Sequence, residues 1–248
     1  MKIHLSADYQ SEIWFYPACS LDGQLATVDM VSQFVHDTAP VTLPQNLLLP
    51  QLNAAQLLRL LQSQLRVFEE QFAFFEKSQA LALMHIDVNM AHMILENELL
   101  ARKVKQFPFL LLDLSETFPA LVNEENDEVI MALKSEFRLS LSQFGTGKIP
   151  SSAIYDNVFD IIKLDKSFIQ SLVKRVSFQP FIQSIVDNFS RYSQQIIISG
   201  IDDEKMLKKM MMLDGVTLQG ALFPPVRADA LNTLMGSEYI FPSNRQPC

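Results

Sequence analysis

Cysteine, basic charge and long apolar runs are all scarce in this sequence of 248 residues. The 2 cysteines, Cys19 and Cys248, stand near opposite ends, a placement that fits neither a disulfide framework nor a zinc site. A reducing cytoplasm is therefore the expected location. The longest apolar stretches, such as Phe107–Leu112, have the length of a strand and are too short to span a bilayer. No apolar run follows Lys2, so the N-terminus does not resemble a signal peptide.

The charge balance is acidic, with 28 aspartates and glutamates against 20 lysines and arginines and a net charge of −8. Such a balance disfavours direct binding to nucleic-acid phosphates and to anionic membranes. Hydrophobic residues make up 48% of the chain, enough to bury a core and too many for a disordered protein. The composition predicts a folded cytoplasmic protein.

The chain alternates between strand-like and helix-like segments. Asp22-Gly23 separates the strand-like runs Glu12–Ala18 and Leu25–Val31 and predicts a hairpin. Thr38–Leu52 contains three prolines and is expected to be mostly loop. The later predicted strands are Leu81–Val88, Phe109–Leu114, Leu139–Leu141, Ile161–Leu164, Gln195–Ser199 and Val216–Gln219. The predicted helices are Asn53–Lys77, Ala91–Lys105, Glu124–Glu136, Ser151–Val158, Lys166–Tyr192 with a break near Pro180, Asp203–Leu213 and Ala228–Leu234.

This alternation predicts the α/β class and a parallel sheet with helices outside it. Seven or eight such units in a chain of this length favour a single (β/α)8 TIM-like barrel, in which the hairpin makes one strand antiparallel. We expect the domain to span residues 1–236 and the polar, proline-containing segment 237–248 to be a disordered tail.

Polar residues stand where the predicted strands end. In a (β/α)8 barrel the carboxyl ends of the strands meet at one face, where functional sites lie. The residues at these ends are Asp29, Asp87, Asp113, Ser142-Gln143, Lys163, Ser199 and Gln219. Polar residues at strand ends are common in any case, so each position alone is equally well explained by the end of a strand. Together they predict a pocket with three carboxylates, one lysine and several neutral hydrogen-bonding groups.

Two motifs give the sequence a family resemblance. Phe144-Gly145-Thr146-Gly147, followed by Lys163-Leu164-Asp165-Lys166-Ser167-Phe168-Ile169, resembles the DDFGTG and KIDrsFi motifs of the EAL family of cyclic di-GMP phosphodiesterases, with the same spacing. Weaker matches are Ser199-Gly200-Ile201-Asp202 to EGVE, Gln219-Gly220 to QG, Asp113-Leu114-Ser115-Glu116 to E-x-T-E and Tyr16-Pro17 to QP. The resemblance covers about Glu12 to Asp229 and implies the EAL form of the (β/α)8 barrel.

The resemblance also implies which residues occupy the family's catalytic positions. Active members bind two divalent cations through carboxylate and Asn ligands, and these cations activate water for attack on a phosphodiester. At those positions this sequence has Asp29 for the glutamate of EAL, Asp87 for the Asn, Asp113 for the first glutamate of E-x-T-E with Glu116 for the second, Ser142 and Gln143 for the Asp pair, and Ser199 for the glutamate of EGVE with Asp202 for its last residue. Gln33 replaces the phosphate-binding Arg, Gln219 keeps the QG position, and Lys163 alone of the catalytic set is unchanged.

These replacements predict a vestigial pocket with no catalytic residue and no cofactor. Aspartate in place of glutamate withdraws a carboxylate by about 1.5 Å, whereas metal–oxygen distances tolerate errors of only about 0.2 Å. Ser142, Gln143 and Ser199 carry no negative charge for a hard cation. A single weakly held cation between Asp29, Asp87 and Asp113 is the remaining metal hypothesis. For Lys163 we expect a structural ion pair, with Asp113 or Asp165 as partner.

Within the family, four segments resemble short, stand-alone anti-FlhDC factors of the YdiV type. These segments are Phe107-Pro108-Phe109-Leu110, Phe118-Pro119-Ala120-Leu121, Leu164–Gln170 and Ser177-Phe178-Gln179-Pro180-Phe181. Such factors bind FlhD in the flagellar master activator FlhDC, block its action on DNA and can promote its turnover by protease machinery. The resemblance therefore implies a partner protein, FlhD, contacted through an outer helical face. Two alternatives remain at this point: a cyclic di-GMP receptor that does not hydrolyse its ligand, and a slow phosphodiesterase.

Overall fold

The computed structural model of the protein describes residues 2–4, 8–36, 42–122, 127–147, 154 and 157–235. Its strands are β1 Lys2–His4, β2 Asp8–Ser20, β3 Leu25–His36, β4 Thr42–Pro44, β5 Leu81–His85, β6 Leu110–Ser115, β7 Leu139–Phe144, β8 Ile161–Leu164, β9 Gln195–Ser199, β10 Val216–Gln219 and β11 Val226–Arg227. Its α-helices are α1 Gln45–Leu48, α2 Ala54–Glu70, α3 Phe72–Ser78, α4 Val88–Glu96, α5 Glu98–Lys105, α6 Pro119–Val122, α7 Asp127–Glu136, α8 Lys166–Leu172, α9 Phe178–Phe189 and α10 Glu204–Met210. Leu49–Gln51 and Ala228–Met235 form 3-10 helices.

Eight strands close into a barrel. β3, β5, β6, β7, β8, β9 and β10 lie side by side, and every neighbouring pair in this series is parallel. β2 completes the barrel by pairing antiparallel with β3 on one side and with β10 on the other. The predicted (β/α)8 barrel with one antiparallel strand is therefore confirmed.

The hairpin that supplies the antiparallel strand turns at the predicted Asp-Gly pair. The Gly23 amide donates to the Ser20 carbonyl at 2.9 Å, and Gly23 has a φ of 84°, which glycine adopts without a steric cost. The register places Tyr16 opposite Asp29. Both strands are longer than predicted, and the added part of β3 pairs with β4.

The apolar residues form two cores because successive side chains of a strand point to opposite faces. The larger core lies between the sheet and the helices and includes Ala82 and Met84 of β5. A smaller cluster takes the alternate residues of the same strands, and we assign it to the barrel interior. It consists of Ala18, Leu83, Leu111, Ile161 and Ile197. This apolar layer forms the floor beneath the carboxyl ends of the strands.

Several predicted boundaries were wrong because capping residues interrupt the apolar periodicity. The strand predicted to reach Val88 ends at His85, since the Asp87 side chain caps α4. The helix predicted over Ala91–Lys105 is two helices, α4 and α5, because the Asn97 side chain accepts the Leu100 amide at 3.1 Å and caps α5. The helix predicted over Asn53–Lys77 is divided at Gln71, although its predicted N-cap, Asn53, forms a capping box with Gln56.

Prolines account for two further corrections. The expected break near Pro180 lies instead between α8 and α9, and Pro180 belongs to the first turn of α9, where its missing amide costs no helical hydrogen bond. The predicted loop Thr38–Leu52 is wrong where it is described, because residues 42–51 form β4, α1 and a 3-10 turn.

Other predictions fall partly or wholly outside the described residues. The segment Ser151–Val158 is described only at Ile154, Asn157 and Val158, and the last two residues are not helical. Glu124–Glu136 is helical from Asp127 onward, and residues 124–126 lie outside the description. The final helix is a 3-10 helix whose Leu231 and Leu234 are buried, whereas the segment 237–248 lies outside the described part of the chain. None of the described helices combines the length and apolar character needed to cross a membrane.

Candidate functional site

A buried ion pair crosses the carboxyl end of the barrel. Lys163 lies on β8 and donates from Nζ to Oδ2 of Asp29 on β3, and the two side chains are only 16% and 11% exposed. Burial acts to lower the pKa of Lys163, but the charges of Asp29 and Asp113 outweigh it and raise that pKa. Burial raises the pKa of Asp29, and Lys163 opposes this rise. The lysine therefore stays charged and neutralises one of the two nearby carboxylates.

The second carboxylate, Asp113 on β6, is held by neutral donors from the neighbouring strands. Its Oδ1 accepts the Ser140 hydroxyl at 2.7 Å, and its Oδ2 accepts the Ser142 hydroxyl at 2.7 Å. His85 Nδ1 on β5 lies 3.4 Å from the same Oδ2. Burial acts to raise the pKa of Asp113, but the His85 hydrogen bond and the charge of Lys163 outweigh it and lower that pKa. Asp113 is thus an ionised carboxylate with both oxygens engaged.

These groups line a small cavity of about 270 Å³ above the apolar floor of the barrel. Its lining residues are Asp29, Met30, Val31, Pro44, Gln45, Leu83, His85, Asp113, Ser142, Gln143 and Lys163. Asp29, Asp113, Ser142, Gln143 and Lys163 were predicted from the strand ends. Pro44 and Gln45 come from the segment that was predicted to be loop, so that segment also shapes the cavity.

Asp87 was predicted to line this pocket and does not, whereas His85 lines it without having been predicted. Asp87 accepts the Met90 amide at 2.8 Å and caps α4, and it does not line the cavity. His85 lines it instead, directly opposite Asp113 in the register of β5 and β6. An aspartate just before a helix commonly accepts the amide three residues later as an N-cap. Asp87 stands in this position before α4, so its capping role could be expected from the sequence.

Three further predicted residues, Gln33, Ser199 and Gln219, lie outside the cavity lining. Gln33 donates from Nε2 to the Tyr16 hydroxyl at 2.9 Å, and Gln219 donates to the Tyr16 carbonyl at 3.2 Å. Ser199 has a buried hydroxyl without a hydrogen-bond partner in the described part of the chain.

Glu116 and Asp202 hold neighbouring loops. Glu116 is buried and accepts both the amide and the hydroxyl of Thr146, which ties the Phe144-Gly145-Thr146-Gly147 loop to the end of β6. Asp202 accepts from Lys166 at 2.7 Å and from the Ala221 amide at 3.1 Å, and the Lys166 bond lowers its pKa. The N-cap of α10 is the neighbouring Asp203, whose side chain accepts the Met206 amide at 2.7 Å.

The donor set does not fit the two divalent cations that the family resemblance implies. Across the described ranges no three His, Cys, Asp or Glu residues are grouped so that they could hold a metal ion. The Asp29 carboxylate is bonded to Lys163, and both oxygens of Asp113 are engaged by serine hydroxyls. Ser142 and Gln143 contribute no charge beside them. The expected ion pair of Lys163 is present, with Asp29 rather than Asp113 or Asp165 as its hydrogen-bonded partner.

Known proteins resemble this chain along most of its length. Residues 4–225 match the family model described as EAL domain. The anti-FlhC(2)FlhD(4) factor YdiV of Salmonella arizonae is 31% identical over 227 residues, which cover 92% of this chain and 96% of the relative. The factor of the same name from Salmonella typhimurium is 30% identical with the same coverage.

Solved structures resemble the fold. The crystal structure of the EAL-like domain protein YdiV superposes with a TM-score of 0.85 at 28% identity, covering 92% of this chain and 97% of that one. The phosphodiesterase PaMucR in complex with c-di-GMP has a TM-score of 0.67 at 19% identity, covering 90% and 94%. At that identity the second likeness concerns the fold alone.

Proposed function

The chain belongs to the EAL-domain family, and we propose that it is a non-catalytic member that binds the FlhD subunit of the flagellar master activator FlhDC. The observation that carries the proposal is the match, over 92% of this chain, to relatives named anti-FlhC(2)FlhD(4) factors. By occupying FlhD, the protein blocks the binding of FlhDC to DNA and represses flagellar gene expression. The domain that does so comprises residues 1–236, with 237–248 as a tail.

The chemistry of the cavity supports a role without catalysis. In-line hydrolysis of a phosphodiester by two cations needs several carboxylates free to bind metal. Here one carboxylate is neutralised by Lys163, and the other is engaged by Ser140 and Ser142. A cavity of about 270 Å³ lined by these groups offers hydrogen bonds but no metal-activated water.

The net charge supports repression through protein contact. A chain with a charge of −8 is repelled by the phosphate backbone, so it does not compete for the promoter by binding DNA itself. It acts on the activator in the bacterial cytoplasm, and protease machinery then acts on the bound activator.

Copurification and a DNA-binding assay test the proposal. We expect the purified protein to co-elute with FlhDC and to abolish the shift of a flagellar promoter fragment by FlhDC in a gel. The matched control is the double variant Asp29→Asn/Lys163→Met, which removes both charges of the buried ion pair and should bind FlhDC as the wild type does. Absence of co-elution with an undiminished promoter shift would refute the function. Loss of binding in the folded double variant alone would instead make the cavity a functional ligand site.

The cyclic di-GMP receptor remains the second candidate, and one feature favours it. A cavity with a charged lysine persists at the carboxyl end of the barrel. Against it, Gln33 stands at the position of the family's phosphate-binding Arg and bonds to Tyr16, and the Lys163 charge is already paired with Asp29. The slow phosphodiesterase has less support, because the two-metal ligand set is missing.

A further inference from the structure

Helix α5 borders a surface groove that the chemistry of the barrel does not use. The groove lies between α2 and α5 and has a volume of about 440 Å³. It is lined by Leu58, Gln62, Arg66, Asn97, Leu99, Leu100 and Lys103, and we call it the α2–α5 groove. Leu58, Gln62 and Arg66 follow each other at intervals of four residues, so they form one wall roughly 12 Å long. That length matches about two turns of a helix lying in the groove.

The α2–α5 groove has an apolar anchor at its rim. Leu99 is 76% exposed, whereas the adjacent Leu100 is buried and Leu58, on α2, is half-buried. A single exposed leucine is ordinary on a protein surface. Beside a groove that Leu58 and Leu100 also line, however, it can pack against the apolar stripe of a partner helix.

The charge of the α2–α5 groove is opposite to that of the whole chain. Its lining includes Arg66 and Lys103 and no aspartate or glutamate, in a protein with a net charge of −8. Lys103 is paired with Glu69 at 2.9 Å, but no carboxylate of the described residues lies within ion-pair distance of Arg66. The groove therefore presents a basic group that a partner carboxylate can engage.

A second groove on the other side of α5 differs in this respect. It lies between α5 and α7, and glutamates and basic residues both line it. Lys105 of α5 and Glu136 of α7 form an ion pair across it. Its charges are thus largely paired within the chain, so charge complementarity favours the α2–α5 groove as the docking site.

We propose that the α2–α5 groove binds an amphipathic helix of the partner protein that carries acidic residues beside its apolar stripe. The inference rests on the proposed function and names the surface through which it is exerted. Leu99 packs against the apolar stripe, Arg66 pairs with an acidic side chain, and the helix lies along the Leu58, Gln62 and Arg66 wall. This is a helix-in-groove contact, whose specificity comes from the spacing of the anchors.

Single substitutions of exposed residues test the docking surface in a titration of FlhDC with the full chain. Leu99→Glu should weaken binding by about 30-fold or more, as expected for the loss of an interface anchor. Arg66→Glu should weaken it by about tenfold and reduce its dependence on salt. The matched control for Leu99→Glu is Val176→Glu, at an exposed apolar position between α8 and α9. The matched control for Arg66→Glu is Lys205→Glu, a charge reversal at an exposed position of α10. Both controls should bind as the wild type does.

The possible results of this titration distinguish an error in the proposed docking surface from an error in the proposed function. Wild-type binding to FlhDC with no effect of Leu99→Glu or Arg66→Glu would overturn the docking surface and leave the function standing. If the wild type did not bind FlhDC, both the proposed function and the proposed docking surface would be refuted. A wild-type dimer in sedimentation that Leu99→Glu converts to a monomer would also overturn the proposal, because a second copy would then be the occupant. Unchanged circular dichroism and thermal midpoints of the variants confirm that each remains folded.

Discussion

At the scale of single residues, Lys163 has a different task from the one its position in the family implies. It is the only unchanged member of the catalytic set, yet its ammonium group neutralises Asp29 in a buried pair. The sequence predicted that Lys163 would be paired, but with Asp113 or Asp165 and not with Asp29. Asp29 is separated from it by 134 positions along the chain, and only closure of the barrel brings β3 and β8 into reach.

Removing one partner of this pair should be costly, and removing both should be tolerated. Lys163→Met leaves Asp29 and Asp113 buried without the cation, and we expect the free energy of unfolding to fall by about 3–5 kcal/mol. Asp29→Asn/Lys163→Met should recover more than half of that loss, because the charge that remains, on Asp113, keeps its hydrogen bonds from Ser140 and Ser142. Urea denaturation at neutral pH measures both values. Equal losses in the single and double variants would show that packing, not charge, sets the cost.

The loss of stability in Lys163→Met should depend on pH. The Asp29 pKa is raised by burial, and Lys163 acts against this rise, so Lys163→Met should raise that pKa further. A carboxyl group with a raised pKa binds a proton more readily in the folded state, so folding gains stability as the pH falls through that pKa. The deficit of Lys163→Met relative to the wild type should therefore be smaller at about pH 5 than at about pH 8. A deficit that grows on acidification would contradict the assigned shift.

At the scale of elements, apolar periodicity predicted the alternation of strands and helices, but it did not predict that His85 and not Asp87 lines the cavity. Apolar periodicity and the Asp22-Gly23 turn predicted the barrel strands and the hairpin. Periodicity does not register a side chain that turns back to cap a helix, so Asp87 was assigned to the cavity and Asn97 was placed inside a helix. His85 was missed because its partner, Asp113, is a neighbour across strands and not along the chain.

Two glycines of the loop between β7 and β8 allow its packing against α8 to be tested. Gly145 has a φ of 108°, and a Cβ built on it would lie 2.6 Å from the Phe168 ring of α8. Gly147 has a φ of 85°, but nothing lies within 4 Å of its Cβ position. Gly147→Ala should cost about 1–2 kcal/mol for the left-handed backbone alone, and Gly145→Ala about 1–3 kcal/mol more for overpacking.

Thermal or urea unfolding of the two variants provides the measurement. Because both substitutions add one methyl group to a glycine of the same loop, Gly147→Ala is the matched control for backbone strain. Equal losses of stability would mean that the Phe168 ring moves aside without cost and that the loop is not packed on α8.

At the scale of the whole molecule, loss of the metal ligands should be visible in solution. Calorimetric titration with cyclic di-GMP, with and without manganese, should give no saturable heat, and no hydrolysis should be detected. Ser142→Glu should not restore activity, because a two-metal site needs all of its ligands. An active phosphodiesterase of the EAL family serves as the positive control. Binding without turnover would favour the receptor, and manganese-dependent turnover abolished by Lys163→Ala would establish an enzyme.

The antiparallel strand that closes the barrel also constrains how the chain can be made. Cys19 of β2 lies opposite Leu218 of β10 in the antiparallel register, about 200 residues later in the chain. A ribosome therefore releases the N-terminal hairpin long before the strand that must lie beside it, and joining such distant segments is slow. Until β10 emerges, β2 and β9 each present an open sheet edge, the kind of surface through which nascent chains aggregate. The pairing of β10 with β2 thus decides whether the barrel closes on itself.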